Sequence, residues 1–148
     1  MQRRTLLKLG LAQISAGMLL APVSVIGAYP APVFRAKEAQ QALTEMFGTV
    51  DIAENSQIRI ETPPVARDGK RVQVKVLSTL PDTESIALVV ESNETPFTAY
   101  FKIFEPQTFV TTRIRVEDSG ELLVVVRANG QLFTRRHPLR IGDNMCRA

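Results

Sequence analysis

Between residues 57 and 141 the sequence alternates apolar and polar side chains with a period of two, in short segments. In "RVQVKVLS" the three valines fall on the opposite face from Gln73 and Lys75, as on a half-buried strand. "QIRIE" and "FVTTRIRV" repeat the alternation, whereas "SIALVVES" and "ELLVVVRA" are continuous apolar runs of the kind found in central strands. A period of two is incompatible with the 3.6-residue period of a helix, so this region is predicted to be all-β.

Turn-forming pairs separate these segments. Asn129-Gly130 stands between "ELLVVVRA" and "QLFTRR", which is the signature of a two-residue hairpin. Because the connections are too short for crossover helices, the pattern predicts a seven-stranded, immunoglobulin-like antiparallel sandwich. Pro138 cannot donate a backbone hydrogen bond, so the last strand should be an edge strand or be broken there. The predicted strands are 57–61, 71–78, 85–92, 97–104, 109–116, 121–128 and 131–141.

A helix is predicted to precede the sandwich. In "RAKEAQQALTEMFG" apolar residues recur at spacings of three and four, and Gly48 follows as a C-cap, which predicts a helix over 35–47. "YPAPVF" before it is interpreted as a linker, residues 29–34. Glu38 and Glu45 offset the positive charges of the helix, which favours docking on the sheet over binding to a membrane.

The first 28 residues resemble an export signal. Arg3, Arg4 and Lys8 precede an apolar stretch, and the paired arginines with "TLLK" match the twin-arginine pattern of a Tat signal peptide. The apolar stretch, residues 9–20, is shorter than the roughly 20 residues that a membrane anchor needs. Cleavage is expected after Ala28, which would place the product in the periplasm.

Length limits the number of domains, and charge limits the kind of partner that the protein can bind. A chain of 148 residues suggests one domain, here 35–141. It has 18 basic and 15 acidic residues; three of the basic ones are in the leader, so the remainder is balanced. The later basic residues alternate singly with strand residues, which indicates a solvated face and argues against a nucleic-acid partner.

The single cysteine is the strongest functional hint. Cys146 has no partner for an internal disulfide, so in an oxidising compartment it must stay free, pair with another molecule or carry a group. His137 is the only histidine, which excludes a multi-histidine metal site, and no phosphate loop or GxSxG elbow is present. A Cys146–His137 catalytic couple is disfavoured because a flexible tail cannot hold the required geometry. The residues therefore predict no metal and no cofactor, and they leave Cys146 as the main candidate for chemistry.

The segment 142–148 is predicted to be a mobile, cysteine-bearing arm. Cys146 is the fifth residue after Ile141, a reach of about 17 Å in extended chain. Glycine, aspartate and asparagine are poor strand formers. The arm residues are Gly142, Asp143, Asn144, Met145 and Arg147.

These features together resemble the SoxY family of sulfur-oxidation carrier subunits. The resemblance runs over nearly the whole chain: a twin-arginine leader, a short helix ending in "FG", "TPPVARDGKRVQV", "TRIRVEDSGELLVVVRANGQLF" and a cysteine on the tail. It implies an immunoglobulin-like periplasmic carrier that holds thiosulfate-derived intermediates on Cys146. It also implies a heterodimer with a SoxZ-like immunoglobulin-like subunit, and action on the cysteine by a periplasmic cytochrome and a hydrolase. The tail departs from the family pattern Gly-Gly-Cys-Gly-Gly, since this sequence has "GDNMCRA".

Two other interpretations stay open on the sequence. One is a non-covalent periplasmic scaffold module in which the cysteine has no role, and the other is a dimer held by an intermolecular disulfide. The apolar strand residues could line a core or an interface, with core preferred. They are Ile86, Leu88, Val90, Phe97, Phe101 and Ile103.

Overall fold

The computed structural model of this protein describes residues 31–104 and 109–142. The predicted leader, Cys146 and the arm residues from Asp143 onward lie outside the described residues.

Two helices precede a series of strands in this part of the chain. Helix α1 is Ala31–Arg35 and helix α2 is Ala39–Phe47; a 3₁₀ turn, Gly69–Arg71, leads into the third strand. The strands are β1 Ala53–Glu54, β2 Ile58–Glu61, β3 Val72–Ser78, β4 Thr83–Val90, β5 Phe97–Lys102, β6 Phe109–Ile114, β7 Gly120–Ala128 and β8 Gln131–Leu139.

The strands form two sheets. One has five strands in the order β1-β8-β7-β4-β5, and the other has three in the order β2-β3-β6. All pairings are antiparallel except that of β1 with β8. This architecture, mostly β with a small helical part, agrees with the predicted sandwich. The turn at Asn129-Gly130 has positive φ at both residues and joins β7 to β8, as the hairpin signature predicts.

The main core lies between the two sheets. It is formed by inward-facing residues of β3, β4 and β7 with contributions from β2, β6 and β8. The buried valines of β3 alternate with its polar residues, as the period of two predicts. The largest fully buried members are Ile58, Ile86, Leu88, Leu122, Val72, Val74, Val76, Val90, Val116 and Val124.

A second core lies on the opposite face of the five-stranded sheet, under the helices. Ala42 and Leu43 of α2 pack with Leu123 and Val125 of β7 and Val89 of β4. Strands β4 and β7 are therefore covered on both faces. This explains their continuous apolar runs, because neither face of these strands meets water.

The helical region differs from the predicted single helix over 35–47. Residues 31–34, predicted as a linker, lie in α1, and the chain leaves helical geometry before α2, with Glu38 extended at φ −121°. Pro32 is compatible with α1 because it lies in the first turn, where its missing N–H is not needed. The break lets Val33 and Ala36 pack into the same cluster as Leu43, so tertiary packing overrides the continuous periodicity. Gly48 is the predicted C-cap, with φ 76°.

The predicted strands are all present, with ends that differ by no more than two residues. The short strand β1 was not predicted, since two residues carry no periodicity. Pro138 lies within β8 and pairs with β7, but β1 pairs only with Phe133 and Thr134, so β8 is locally an edge at the proline.

Phe97 lies on the opposite face of the sheet from the one expected. The alternation in "FTAYFKIF" predicts that Phe97 shares the inner side of the sheet with Ala99 and Phe101, but a register shift between Leu88 and Val89 turns it to the helical side. There its ring packs edge-on against Phe34, with centroids 4.9 Å apart. The preference for core over interface is confirmed for the buried positions Ile86, Leu88, Val90 and Phe97.

Candidate functional site

The segment that leads into the predicted arm is fixed to the body as far as Gly142. The Gly142 N–H donates to the carbonyl of Ala66 at 2.8 Å, and the Ala66 N–H donates to the carbonyl of Arg140 at 2.8 Å. Ala66 and Ile141 form a parallel bridge. Gly142, predicted as the first arm residue, is therefore hydrogen-bonded to the loop before β3.

A second loop also anchors the segment that leads to Gly142. The Ile141 N–H donates to Ser119 Oγ at 2.9 Å. Ser92 Oγ in turn donates to the carbonyl of Asp118 at 2.7 Å, which ties this loop to the end of β4. The exit of the tail is thus built from three segments that are distant in sequence.

Gly69 permits the close packing at this end. The Val116 N–H donates to the Gly69 carbonyl at 2.7 Å. A Cβ at Gly69 would lie 2.1 Å from the Val116 carbonyl oxygen, so the approach requires glycine. Asp68 Oδ1 accepts the Lys70 N–H at 2.9 Å and caps the 3₁₀ turn. Asp-Gly is a turn-forming pair, so the sequence predicts a turn at Asp68-Gly69, and in the structure this turn is also a packing contact.

A cavity of about 230 Å³ opens beside the tail exit. Lys70 and Arg115 bring positive charge to its wall, and Arg115 Nη2 lies 3.7 Å from Glu117 Oε1. The other Glu117 oxygen accepts the Glu94 N–H at 2.8 Å. The lining residues are Asp68, Gly69, Lys70, Arg115, Val116, Glu117 and Ile141.

The predicted sulfur-bearing residue and most of the arm, Cys146 with Asp143, Asn144, Met145 and Arg147, lie outside the described residues. Cys146 follows the anchored Gly142 by four residues, a length of chain that spans at most about 14 Å when fully extended.

His137 makes an ordinary structural contact. Its Nε2 lies 2.8 Å from Thr62 Oγ1, and partial burial lowers the pKa of the imidazole. Its hydrogen-bonding partner in the described residues is thus a threonine of the loop after β2, with no carboxylate to orient it as a general base.

A further cavity, of about 340 Å³, lies between α2 and the five-stranded sheet. At its wall Arg136 Nη1 donates to Glu91 Oε1 at 2.9 Å and to Glu121 Oε2 at 3.1 Å. These bonds, the one to Glu91 first, raise the pKa of the guanidinium. Sequence reasoning missed this network because Glu91, in the turn after β4, is far from Arg136 in the chain. Through these two bonds Arg136 of β8 links the end of β4 to β7.

Neither a metal cluster nor a membrane span is found in the described part of the chain. Residues 31–104 and 109–142 contain no group of three or more histidine, cysteine, aspartate or glutamate side chains arranged to hold a metal ion. Within the same ranges, every helix is too short or too polar to traverse a bilayer.

Comparisons with known proteins agree with this architecture. The solved structure of the sulfur carrier protein SoxY from Chlorobium limicola f thiosulfatophilum matches with a TM-score of 0.64 and 27% identity. The match covers 76% of this chain and 99% of the Chlorobium chain. No curated protein sequence matches significantly.

A family model described as "Sulfur oxidation protein SoxY" matches residues 43–142. The matched region runs from α2 to the tail exit, and Cys146 lies beyond its end. Because it spans 100 of the 148 residues, the chain belongs to the SoxY family of sulfur oxidation proteins.

Proposed function

We propose that this protein is a sulfur carrier that holds oxidation intermediates covalently on Cys146 and presents them to separate enzymes. Membership of the SoxY family is the observation that carries the proposal. The solved relative from Chlorobium is itself described as a sulfur carrier protein. The cargo is thiosulfate-derived, and the protein itself performs no catalysis.

The position of the tail supports Cys146 as the attachment site. The body holds the chain firmly at Gly142, through Ala66, and Cys146 follows four residues later. A thiol on a short tether of this kind can enter a pocket of another protein, whereas a thiol within a strand cannot. It is also the only cysteine in the sequence, so no other thiol can take the role.

The partners are a SoxZ-like immunoglobulin-like subunit and sulfur-oxidising periplasmic enzymes, among them a cytochrome and a hydrolase. Two exposed aromatic residues support a protein partner at one edge of the sandwich. Phe104, after β5, is 89% exposed, and Phe109, at the start of β6, is 51% exposed. Both β5 and β6 are edge strands, so their outer backbone groups are available for pairing.

The twin-arginine leader supports a periplasmic location, in which an export system reads residues 1–28 and the protein works after their removal. An oxidising compartment suits a chain that uses one cysteine for covalent attachment.

Replacing Cys146 tests the proposal. In cells that depend on this protein, Cys146→Ser is expected to abolish oxidation of thiosulfate, while Ser56→Ala, at an exposed position before β2 and away from the tail exit, retains it. Both variants should accumulate to the wild-type level, which an immunoblot checks. Unchanged sulfur oxidation by Cys146→Ser would contradict the carrier role and favour a non-covalent scaffold.

The disulfide-linked dimer predicts a different result. It would give a band of doubled mass on a non-reducing gel that disappears with reductant. The carrier predicts a monomer mass for this chain under both conditions when its thiol is loaded.

A further inference from the structure

Three polar residues lie in one row across the five-stranded sheet, on the face that carries the helices. Ser85 of β4 is paired with Lys102 of β5 on one side and with Arg127 of β7 on the other. Alternation along β4 places Ser85 on the same face as Ala87 and Val89, which pack under the helices. Because paired residues of neighbouring strands share a face, Lys102 and Arg127 flank Ser85, with their Cα atoms about 10 Å apart at roughly 4.8 Å per strand.

Two polar atoms of this row are buried without a partner among the described residues. Ser85 is 3% exposed, and its Oγ forms no hydrogen bond. Arg127 Nε is likewise buried and unpaired. The large majority of buried polar atoms in folded proteins are hydrogen-bonded, and leaving one unpaired costs free energy. Two exceptions in adjacent residues indicate that a group from outside the chain completes this row.

The cations on either side of Ser85 are not paired with a described carboxylate. Within residues 31–104 and 109–142, neither Lys102 nor Arg127 forms a salt bridge. Arg127 lies over the ring of Phe47, with its Cζ 5.8 Å from the ring centroid. A contact with the flat face of the guanidinium leaves the N–H groups in its plane available to an acceptor. The row therefore offers two sets of cationic donors around one hydroxyl.

A β-bulge adjoins Ser85. The register between β4 and β7 shifts between Thr83 and Ser85, which leaves Glu84 without an opposite residue. Glu84 Oε1 accepts the Gly130 N–H at 2.8 Å, so the carboxylate next to Ser85 in the sequence is engaged by the turn between β7 and β8. Bulges bend a strand and re-aim its side chains, and they are over-represented beside functional sites.

The row lies far from the tail exit. Arg127 is opposite Leu132, near the start of β8, whereas the tail follows Leu139 at the other end of that strand. The two positions are roughly 24 Å apart at about 3.4 Å per residue. The row is therefore separate from the attachment site proposed at Cys146, and the inference drawn from it does not depend on that proposal.

We propose that Lys102, Ser85 and Arg127 form a binding site for a small, doubly charged tetrahedral oxyanion of the sulfate class. The ammonium group and the guanidinium, including its Nε, donate charge-assisted hydrogen bonds to oxygens on two sides of the anion. The Ser85 hydroxyl donates to a third oxygen. Oxidation of sulfur compounds yields such anions, so a protein of the SoxY family meets them where it works.

A purely structural role for Arg127 is the main alternative. The arginine lies beside Phe47, the last residue of α2, where a positive charge offsets the negative end of the helix dipole. That role explains neither the unpartnered hydroxyl of Ser85 nor the position of Lys102. It also predicts no binding of an anion, so a titration separates the two explanations.

The test is a titration of the full chain with sodium sulfate, followed by amide chemical shifts. Sodium chloride at matched ionic strength controls for screening. The shifts of Ser85, Lys102 and Arg127 are expected to saturate, with a dissociation constant of about 1 mM for two or three charge-assisted hydrogen bonds. Sulfate should also raise the midpoint of thermal unfolding above that in chloride, because a ligand that binds only the folded state stabilises it.

Matched double variants show which cations hold the anion. Lys102→Gln with Arg127→Gln should weaken sulfate binding by about tenfold or more, since each change removes a charged donor. Arg59→Gln with Arg113→Gln removes two exposed cations from the outer face of the three-stranded sheet and should leave binding unchanged. The amide spectrum itself shows whether each variant is folded.

Ser85→Ala separates ligand binding from a role in the fold. An unpartnered buried hydroxyl does not stabilise the folded state, so without sulfate this variant should unfold at the wild-type temperature or above it. It should bind sulfate roughly threefold to tenfold more weakly, as expected for the loss of one hydrogen bond. Lower thermal stability without sulfate, combined with unchanged sulfate affinity, would assign the hydroxyl to the fold alone and overturn its place in the site.

Sulfate shifts that match those of chloride, or that persist unchanged in the double variant of Lys102 and Arg127, would overturn the site as a whole. Cys146→Ser should bind sulfate as the wild type does. Loss of sulfur oxidation in that variant concerns only the carrier role, so the two proposals stand or fail separately.

Discussion

Gly69 shows how a single residue shapes the tail exit. Its position against the Val116 carbonyl leaves no space for a side chain, and its φ is not in the left-handed region, so the requirement is one of space. Gly69→Ala is expected to lower the free energy of unfolding by about 1–3 kcal/mol, because the added methyl forces the two loops apart. Urea denaturation measures this.

Lys70→Ala is the matched control for Gly69→Ala. Lys70 is the adjacent residue and is exposed, so its loss should change stability by less than about 0.5 kcal/mol. Equal stability of Gly69→Ala and the wild type would show that the loops can separate without cost.

His137 leads to a prediction about how the stability of the protein depends on pH. Its pKa is lowered in the folded protein by burial, so below the unfolded value of about 6.5 the unfolded chain binds a proton more readily than the folded one. Its contribution to stability is therefore present above pH 6.5 and is lost as the pH falls through the folded pKa. His137→Gln should lose less stability than the wild type between pH 7 and pH 5, as measured by denaturation at each pH.

Carboxylates titrate in both proteins, so the comparison isolates the histidine. Parallel loss of stability in the wild type and His137→Gln over that range would contradict the assignment.

Strands β4 and β7 are the elements around which the fold is arranged. Each is covered by the three-stranded sheet on one face and by the helices on the other. Their continuous apolar runs indicated central strands from the sequence alone. The sequence also predicted that the helical region docks on the sheet, which the second cluster agrees with. It did not reveal which strands the helices cover, because an amphipathic stripe does not specify its partner.

Leu43 of α2 tests the importance of this helical cover. It is 5% exposed and packs in the cluster that includes Leu123. Leu43→Ala is expected to destabilise the protein by about 2–4 kcal/mol through lost burial and a residual cavity. Thermal or urea denaturation measures the loss.

Gln41→Ala, on the exposed side of the same helix, is the control and should change stability by less than about 0.5 kcal/mol. If Leu43→Ala were as stable as Gln41→Ala, the helices would not be part of the cooperative core.

The elements that the sequence predicted well are those with a strong local pattern. The alternating valines of β3 and the Asn129-Gly130 turn specify their own conformation. The break between α1 and α2 and the reversed face of Phe97 arise from packing and from a register shift, which are non-local. Such features leave no periodic signal in the chain.

At the scale of the whole molecule, the sequence identifies one part of the candidate site and the structure identifies another. The single Cys146 is visible only as a pattern in the sequence. The anchored exit at Gly142 could not be predicted, because it is assembled from the loops around Ala66 and Ser119, far apart in the chain. The carrier role proposed for Cys146 uses this anchored exit as its base.

The most direct test is the intact mass of the protein taken from cells that are oxidising thiosulfate. The account predicts a mass above that of the unmodified chain, with the added sulfur and oxygen mapped to the peptide that contains Cys146 and removed by a thiol reductant. Protein from the same cells that carries no adduct on Cys146 would contradict it.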